Sequence, residues 1–442
     1  MSEVPNGWAT VRVKDLCELQ NGRAFKQPEL LDAGKYPVLR VGNFFSNRGW
    51  YHSNLELDPQ KYCEYGDLLY AWSASFGPQI WDGGKVIFHY HIWRVDLIEQ
   101  VINKRFLFRW FEWDKENIKA ELGTGSTMIH VTKGDMEERR LALPPHAEQR
   151  RIVAKLDALT ARTARARAEL DRVPTLAARY KQAVLAAAFG GELTASWRLE
   201  NRVPFAWSPT RVGDLTDDIR YGTAAKCRYS PNETPVLRIP NVSGGRIDTT
   251  DLKHATFHKT ELRKLTLRAG DLLVIRSNGS LGLVGRTAVV TPEVTGFLFA
   301  GYLIRLRLDE RAVLPGFLNL AFAEPSIRSE VEDFAKSTSG VNNINSEQLK
   351  SLSIPVPTLA EQAEIVRRID HAFAEIDRLA AEAAAARRLL DRLDQAILAK
   401  AFRGELVSQD PADEPASALL ARIRAERNAQ PAQRRGRRAR AA

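Results

Sequence analysis

Residues 360–402 read AEQAEIVRRIDHAFAEIDRLAAEAAAARRLLDRLDQAILAKAF. After the first step the apolar residues of this stretch alternate spacings of three and four, which is the heptad seam of a coiled coil. The other positions are rich in Ala, Arg and Glu, which are strong helix formers. The stretch therefore predicts one long helix with an apolar seam at Ile365, Ile369, Ala372, Ile376, Leu379, Ala383, Ala386, Leu390, Leu393 and Ile397.

A second copy of this helix lies 213 residues earlier, because Ala147-Glu148-Gln149 matches Ala360-Glu361-Gln362 and the match continues without a gap. Along the matching seam only Thr163 departs in type, while Pro174 has no counterpart and should kink or break the helix. We expect the two copies to pair as an antiparallel coiled coil, although a solitary amphipathic hairpin in an ordinary bundle is the alternative. The first helix would contribute Ile152, Leu156, Leu159, Leu170, Tyr180 and Val184 to this pairing or to a partner interface.

The segments before each helical copy have short β-branched and aromatic runs between Gly, Pro and Asn turns, which is typical of strands. They resemble each other loosely, as Gly66-Asp67-Leu68-Leu69 and Gly270-Asp271-Leu272-Leu273 show. Each is predicted to be an α+β domain with a small, curved, mostly antiparallel sheet. The predicted strands are 11–13, 36–41, 67–72, 85–95 and 141–144, then 236–239, 271–276, 285–290 and 302–308, with helices at 104–121 and 315–334.

This tandem repeat gives five predicted segments. Two α+β domains alternate with two spacer helices, and an Ala/Arg-rich tail, expected to be disordered, follows. The boundaries are 1–146 for the first α+β domain, 147–194 for the first helix, 195–359 for the second domain, 360–407 for the second helix and 408–442 for the tail.

The bulk composition is that of an ordinary globular protein, with 44% hydrophobic and 27% charged residues in 442. The net charge is +10, but residues 421–442 contain eight arginines and one glutamate, so +7 of that charge lies in the tail. Charge alone therefore does not indicate nucleic-acid binding. The start of the chain has no signal-peptide pattern and no apolar run is long enough for a membrane span. Three widely spaced cysteines fit a reducing cytoplasm.

The sequence contains no motif for chemistry of its own. It has no Asn-Pro-Pro or Asp-Pro-Pro motif of an amino-methyltransferase, and no glycine-lysine-serine/threonine loop for ATP phosphates. His89 and His91 alternate in FHYHIW and would share one face of a strand, but two ligands without a third are weak evidence for a metal. We therefore predict no catalytic residue, no metal and no bound cofactor. A self-contained methyltransferase or nuclease, and a coiled-coil protein-binding scaffold, are the alternatives.

The order of motifs resembles a known family. GDLLYAWSASFGPQIW, HYHIWRV, LPPHAEQRRIV, GELTASW, STSGVNNIN and IPVPTLAEQAEIV together resemble the specificity subunit of type I restriction-modification systems, over nearly the whole chain to about Val407. The resemblance implies two target recognition domains that each bind half of a bipartite site on double-stranded DNA. It also implies that two methyltransferase subunits and the restriction/helicase subunits are partners. S-adenosylmethionine, ATP and Mg²⁺ would then be bound by those partners.

The length of the helices agrees with this expectation. At about 1.5 Å per residue, Ile152 to Val184 spans roughly 48 Å. That length is of the right order for half-sites about one helical turn, or roughly 34 Å, apart. Inserting one heptad after Arg167 should therefore lengthen the spacer by roughly three base pairs.

The candidate DNA contacts lie at strand ends and in polar loops before each helix. Arg40 with Asn43, and their counterparts Arg238 with Asn241, combine a guanine-type and an adenine-type reader, although they could equally cap a strand end. The loop candidates suit contacts to the DNA backbone and its phosphates. Solvated turns that bind nothing would have the same composition. The loop candidates are Ser73, Ser75, Ser126, Thr127, His130, Arg276, Ser277, Asn278, Ser339, Asn342, Asn343 and Asn345.

Overall fold

The structure, a computed structural model, describes residues 4–46, 49–73, 76–122, 130–336 and 340–429. It divides into two compact units. The first unit combines residues 1–170 with 386–442, and the second unit consists of residues 171–385. Each unit therefore contains one variable segment and parts of both helical copies. Within the described ranges, no helix is both long enough and apolar enough to cross a membrane.

The described strands of the first unit form small, mostly antiparallel sheets. Their orders are β1-β10, β2-β9-β6-β7 and β4-β3-β8-β5, and only the β3–β8 pair is parallel. The strands are β1 Ala9–Arg12, β2 Cys17–Asn21, β3 Tyr36–Leu39, β4 Tyr51–Ser53, β5 Tyr62–Cys63, β6 Leu68–Ala71, β7 Gly77–Ile80, β8 Val86–Phe88, β9 Ile92–Leu97 and β10 Arg140–Leu143.

The second unit repeats this topology. Its orders β11-β21, β12-β19-β15-β17 and β14-β13-β18 correspond to those of the first unit, except that the last sheet has no counterpart of β5. One pair is again parallel, and β16-β20 is a short addition. The strands are β11 Ser208–Arg211, β12 Thr216–Tyr221, β13 Thr234–Leu237, β14 Lys253–Ala255, β15 Leu272–Ile275, β16 Ser277–Asn278, β17 Thr287–Val289, β18 Leu298–Phe299, β19 Leu303–Leu308, β20 Asn342–Asn343 and β21 Ser353–Val356.

The helices include the two predicted copies. In chain order they are α1 Val41–Ser46, α2 Lys104–Leu122, α3 Lys133–Glu138, α4 His146–Leu170, α5 Val173–Phe189, α6 Ala195–Asn201, α7 Ile239–Val242, α8 Lys259–Leu265, α9 Pro315–Ala321, α10 Pro325–Ala335, α11 Ser346–Ser351, α12 Leu359–Phe402 and α13 Ala416–Ala429. The helix predicted at 104–121 is α2. The one predicted at 315–334 is split into α9 and α10, because Pro325 starts a new helix.

The helical copies run antiparallel within the first unit. Leu156 of α4 shares the apolar core with Phe402, near the end of α12. Further along α4, Arg167 donates a hydrogen bond to Asp394 at 2.5 Å. Residues later in α4 therefore lie beside residues earlier in α12, so the two helices are antiparallel.

The same sense of pairing holds within the second unit. Lys181 of α5 donates to Asp377 of α12 at 2.6 Å, and Ala188 shares the second unit's core with Ile365. The α+β fold with small sheets and antiparallel pairing of the helical copies is thus confirmed.

The first helical copy is not continuous. It ends as α4 at Leu170 and restarts as α5 at Val173, with Pro174 in the first turn of α5. Proline lacks the N–H that a helix interior requires, but the first turn leaves that group without an intrahelical partner in any case. The kink or break predicted at Pro174 is confirmed, and it takes the form of a break between α4 and α5.

The seam residues differ in burial. Ile152, Leu156, Ile365 and Ile369 are fully buried, whereas Leu159, Leu170, Val184, Ile376, Leu390 and Ile397 are half-buried. Three further seam residues are largely exposed, namely Tyr180 at 65%, Leu379 at 53% and Leu393 at 46%. A straight helix drifts about 20° per heptad relative to a 3.5-residue repeat, which turns part of a long seam away from its neighbour. A partner interface at these three residues stays a prediction.

The tail contains a helix that the sequence analysis did not anticipate. Ala416, Leu419, Leu420 and Ile423 of α13 are buried in the first unit's core. Arg151 of α4 also donates to the Asp413 carboxylate at 2.6 Å. The prediction of disorder is therefore wrong for residues 408–429, because a short apolar stripe is embedded in the Ala/Arg-rich composition. Residues 430–442 lie outside the described residues.

Candidate nucleic-acid interface

Predicted contact residues of the second unit come together where β15 ends. β15 is apolar and buried throughout, and the chain leaves the core through Arg276. The next two residues, Ser277 and Asn278, form β16 and pair antiparallel with Asn343 and Asn342 of β20. Five candidates, from two segments that are more than sixty residues apart in sequence, therefore form one polar surface.

Arg276 is held on this surface by two neighbours. Its Nε donates to Asn343 Oδ1 at 3.1 Å, and its guanidinium carbon lies 4.7 Å from the ring centroid of Tyr221. The Tyr221 hydroxyl in turn accepts the Ser346 backbone N–H at 3.0 Å and donates to Ser346 Oγ at 3.2 Å. The hydroxyl end of the aromatic ring under the guanidinium is thus held by two hydrogen bonds.

A cavity of about 1110 Å³ opens beside Arg276 and is called here the second-unit groove. None of the described residues that line it is acidic, so the groove is electropositive. Tyr302, which is 63% exposed, also lines it. The cations and aromatics of the lining are Lys226, Arg238, Lys253, Arg276, Tyr221 and Tyr302.

Arg238 and Asn241 have structural partners already. Asn241 is 2% exposed. Its Oδ1 accepts the Arg238 N–H at 2.8 Å, and its Nδ2 donates to the carbonyls of Asp248 and Asp251 at 2.8 and 2.9 Å. Arg238 Nη2 pairs with the Asp251 carboxylate at 2.7 Å. This geometry matches the strand-end cap that the sequence left open for Asn241, and it leaves Arg238 at the groove wall.

The first unit repeats this cap in a looser form. Asn43 Oδ1 accepts the Arg40 N–H at 3.2 Å, and its Nδ2 donates to the Gly49 carbonyl at 3.3 Å. The Arg40 guanidinium lies 5.0 Å from the centroid of Tyr51. Arg40 and Asn43 both line a cavity of about 530 Å³ that also includes Asp32 and Trp50.

An aromatic cluster occupies the strand end of the first unit. β6 ends before Trp72, and the next residue, buried Ser73, bridges to His130. The Trp72 indole donates to the Tyr90 carbonyl at 2.8 Å, and its ring lies 4.9 Å from that of His91 and 6.1 Å from that of His130. This surface offers ring faces and neutral hydrogen-bonding groups instead of a guanidinium.

The prediction that His89 and His91 share one face of a strand is wrong. β8 ends at Phe88 and β9 begins at Ile92, so Tyr90 and His91 form a tight turn. Burial, then His91 and Arg40, lower the pKa of His89 to about 4, and burial and His130 lower that of His91. His89 is therefore uncharged at neutral pH. The described residues contain no group of three His, Cys, Asp or Glu side chains that could hold a metal ion.

The remaining candidates have mixed positions. Asn345 caps α11, because its Oδ1 accepts the Gln348 N–H at 2.9 Å. Asn278 Oδ1 accepts the Ser280 N–H, and Asn342 Nδ2 donates to the Gly279 carbonyl, so both side chains hold the loop at residues 278–280. Ser75, Ser126, Thr127 and Ser339 lie outside the described residues.

Two glycines allow the strand ends to approach the neighbouring turns. A Cβ on Gly222 would lie 2.3 Å from the carbonyl oxygens of Phe299 and Ala300, and one on Gly22 would lie 2.3 Å from that of His89. Any side chain would therefore push the end of β12 or β2 away from the turn that carries Tyr302 or His91.

Sequence analysis missed the aromatic residues and two lysines of these surfaces. Trp72 follows Gly66-Asp67-Leu68-Leu69 at the same spacing at which Arg276 follows Gly270-Asp271-Leu272-Leu273, so a signal for the equivalence was present. Lys226, Lys253 and Tyr302 gave no such signal, because only folding brings them to the groove.

Comparison with known proteins is consistent with the duplication. The chain matches the family described as type I restriction modification DNA specificity domain twice, over residues 5–174 and 206–383. It is 30% identical to the type I restriction enzyme EcoKI specificity subunit of Escherichia coli K12, over 97% of both chains. It is 29% identical to the StySPI specificity subunit of Salmonella potsdam, over 96% of both chains.

Solved structures show the same fold. A chain from a study of complex assembly and conformational transition in the type I R-M system has a TM-score of 0.64 at 22% identity, covering 92% of this chain and 100% of that one. The HsdS subunit from Thermoanaerobacter tengcongensis has a TM-score of 0.58 at 20% identity, covering 91% and 98%.

Proposed function

We propose that this chain, which belongs to the family of type I restriction-modification DNA specificity subunits, recognises one half of a bipartite DNA site with each of its two units. The observation that carries this proposal is that the units share one strand order but present different side chains at the same strand end, Trp72 in one and Arg276 in the other. A repeated scaffold with divergent contact residues is what two different half-sites require.

The second-unit groove supports DNA as the ligand. Cations and exposed aromatic side chains line it, and the described part of its lining contains no carboxylate that would repel phosphates. Lys226 and Lys253 are suited to phosphate contacts, which position a protein on a duplex, while side chains at the strand end are suited to base edges.

Methyl transfer and cleavage are proposed to belong to partner subunits. The sequence has no methyltransferase or ATP-binding motif, and the surfaces at the strand ends contain amides, hydroxyls, aromatic rings and cations. S-adenosylmethionine, ATP and Mg²⁺ would accordingly be held by those partners. We expect the assembly to act on cellular DNA in the cytoplasm.

The helical copies are proposed to bind two methyltransferase subunits and, through them, the restriction subunits. The copies are near repeats in sequence, so each can offer a similar surface to an identical partner. Exposed apolar side chains lie on them in both units: Leu176, Tyr180 and Leu379 in the second, Leu389 and Leu393 in the first. Leu176 and Tyr180, like Leu389 and Leu393, are one helical turn apart, and contiguous exposed apolar side chains mark sites of protein interaction.

This function can be tested by selecting binding sites from a pool of random DNA duplexes. The chain used for the selection is co-expressed with the methyltransferase subunits of its own system. We expect enrichment of two short motifs separated by a spacer of fixed length and unspecified sequence, with affinity that falls steeply with salt. Enrichment of a single uninterrupted motif would contradict the two-unit proposal. An absence of DNA binding, and so of any salt-dependent affinity, would favour a protein-binding scaffold.

The purified chain incubated with DNA, Mg²⁺ and S-adenosylmethionine tests the enzyme alternative. We expect neither methylated nor cleaved DNA from the chain alone, and both activities to depend on added partners. Turnover by the chain alone would contradict the assignment of chemistry to the partners.

A further inference from the structure

The two units place different chemistry at one equivalent position. The backbone N–H of Trp72 donates to the His91 carbonyl at 3.0 Å, and that of Arg276 donates to the Tyr302 carbonyl at 2.8 Å. The residue after each pairs with the segment that precedes the next helix, through the Ser73–His130 and Ser277–Asn343 bridges. Trp72 and Arg276 are therefore equivalent by hydrogen bonding as well as by sequence spacing.

We propose that Arg276 selects a guanine in the half-site of the second unit, and that Tyr221 and Asn343 position it for this contact. The first unit, with Trp72 at the equivalent position, then recognises its half-site without an arginine there. This inference rests on the proposed function and assigns one specificity determinant within it.

The contacts of Arg276 leave the guanine-reading atoms available. Its Nε is used by Asn343, and the described residues offer no hydrogen-bond acceptor to its two terminal nitrogens. A planar guanidinium with two parallel N–H groups matches O6 and N7 of guanine, and this is the commonest specific contact in the major groove. The half-buried side chain is thus oriented for a bidentate contact before DNA binds.

Tyr221 is the positioning residue in this arrangement. Its hydroxyl is bonded to the backbone and side chain of Ser346 at the start of α11, and α11 is itself capped by Asn345. The ring therefore forms a fixed surface beneath the guanidinium, which reduces the conformational entropy that Arg276 loses on binding. In the first unit Asn21 stands at the position equivalent to Tyr221, next to Gly22.

The other cations of the groove are less suited to base selection. Arg238 is paired with the Asp251 carboxylate, so its charge and one terminal nitrogen are already engaged. Lys226 and Lys253 are point charges on flexible stems and lack the fork geometry of arginine. They are expected to contact phosphates, whose recognition carries no sequence information.

The test compares relative binding to a complete set of single-base variants of the selected site, using the chain assembled with its methyltransferase subunits. Arg276→Ala should lower discrimination at one G·C position by about 5- to 150-fold and leave the other half-site unchanged. Tyr221→Leu should reduce discrimination at the same position, while Tyr221→Phe, which keeps the ring, should reduce it less. Trp72→Ala should alter preferences only in the other half-site.

Lys253→Ala is the matched control. It removes a cation from the same groove and should weaken binding to all sequences alike, with the salt dependence reduced by about one counterion. If Arg276→Ala behaves like Lys253→Ala, Arg276 is a phosphate contact and the inference is overturned, while the proposed function stands on the wild-type motif. If the wild-type assembly selects no bipartite motif, the proposed function itself fails.

Discussion

The contact between Arg198 and Glu361 offers the sharpest energetic prediction. Glu361, at the start of α12, is 1% exposed. It accepts hydrogen bonds from Arg198 at 2.5 Å, Thr194 at 2.7 Å and Trp207 at 3.0 Å. Arg198 is therefore the sole cation among the described residues paired with this carboxylate within 4.0 Å. We predict that Arg198→Met strongly destabilises the second unit.

The magnitude follows from leaving a charge buried. Removing one partner of a buried ion pair costs about 3–5 kcal/mol, and the remaining bonds from Thr194 and Trp207 place the expected loss near 3 kcal/mol. Adding Glu361→Gln removes the charge and keeps an acceptor for Trp207. The double variant should therefore recover most of the lost free energy of unfolding.

The first unit contains a natural analogue of this variant. Glu148, the counterpart of Glu361, accepts from Trp8 at 3.0 Å, but its second oxygen is buried without a hydrogen-bond partner among the described residues. Burial raises the pKa of Glu148.

Urea-dependent hydrogen exchange, followed by mass spectrometry, measures this effect separately in each unit. Peptides from the first unit serve as the internal control and should not change. The reasoning is refuted if Arg198→Met costs less than about 1 kcal/mol, or if the double variant is as unstable as the single one.

Three further predictions concern stability. Glu148→Gln should raise the melting temperature at pH 8 and have little effect at pH 4. Burial raises the pKa of Glu148, so the wild-type protein loses stability as pH rises and this side chain ionises; equal effects at both values would contradict this. Gly222→Ala should destabilise the second unit by about 1–3 kcal/mol in urea titrations, since its Cβ meets the Ala300 carbonyl oxygen; an unchanged midpoint would show that the strand can shift freely. Leu420→Ala should cost the first unit about 2–5 kcal/mol, whereas the exposed neighbour Arg424→Ala should cost much less.

The helices could be predicted because their determinants are local. Heptad spacing and helix propensity are visible in a single stretch, and the offset match between Ala147 and Ala360 identifies the second copy. The break between α4 and α5 could be predicted from Pro174 for the same reason. α13 was not predicted, because its three large apolar residues, Leu419, Leu420 and Ile423, are few among alanines and arginines. These residues are buried only through their contact with the first unit's core.

The site could be predicted in part. Arg276, Ser277 and Asn343, which the sequence placed at a strand end and in a polar loop, do come together, while DNA contact at this surface stays a prediction. An amide that caps a strand and an amide that contacts a base have the same identity and the same loop position, so Asn241 could not be assigned from sequence. Tyr302 reaches the groove through the turn before β19, which only tertiary structure brings beside Arg276.

The central claim is that one chain gives an assembly a bipartite DNA specificity. Methylome sequencing of the host, with the gene intact, disrupted and restored, tests it most directly. We expect disruption to abolish methylation at one motif made of two short half-sites with a fixed spacer, and the restored gene to return it. A methylome that is unchanged by disruption, in a host whose methyltransferase subunits remain expressed and active, would contradict the claim.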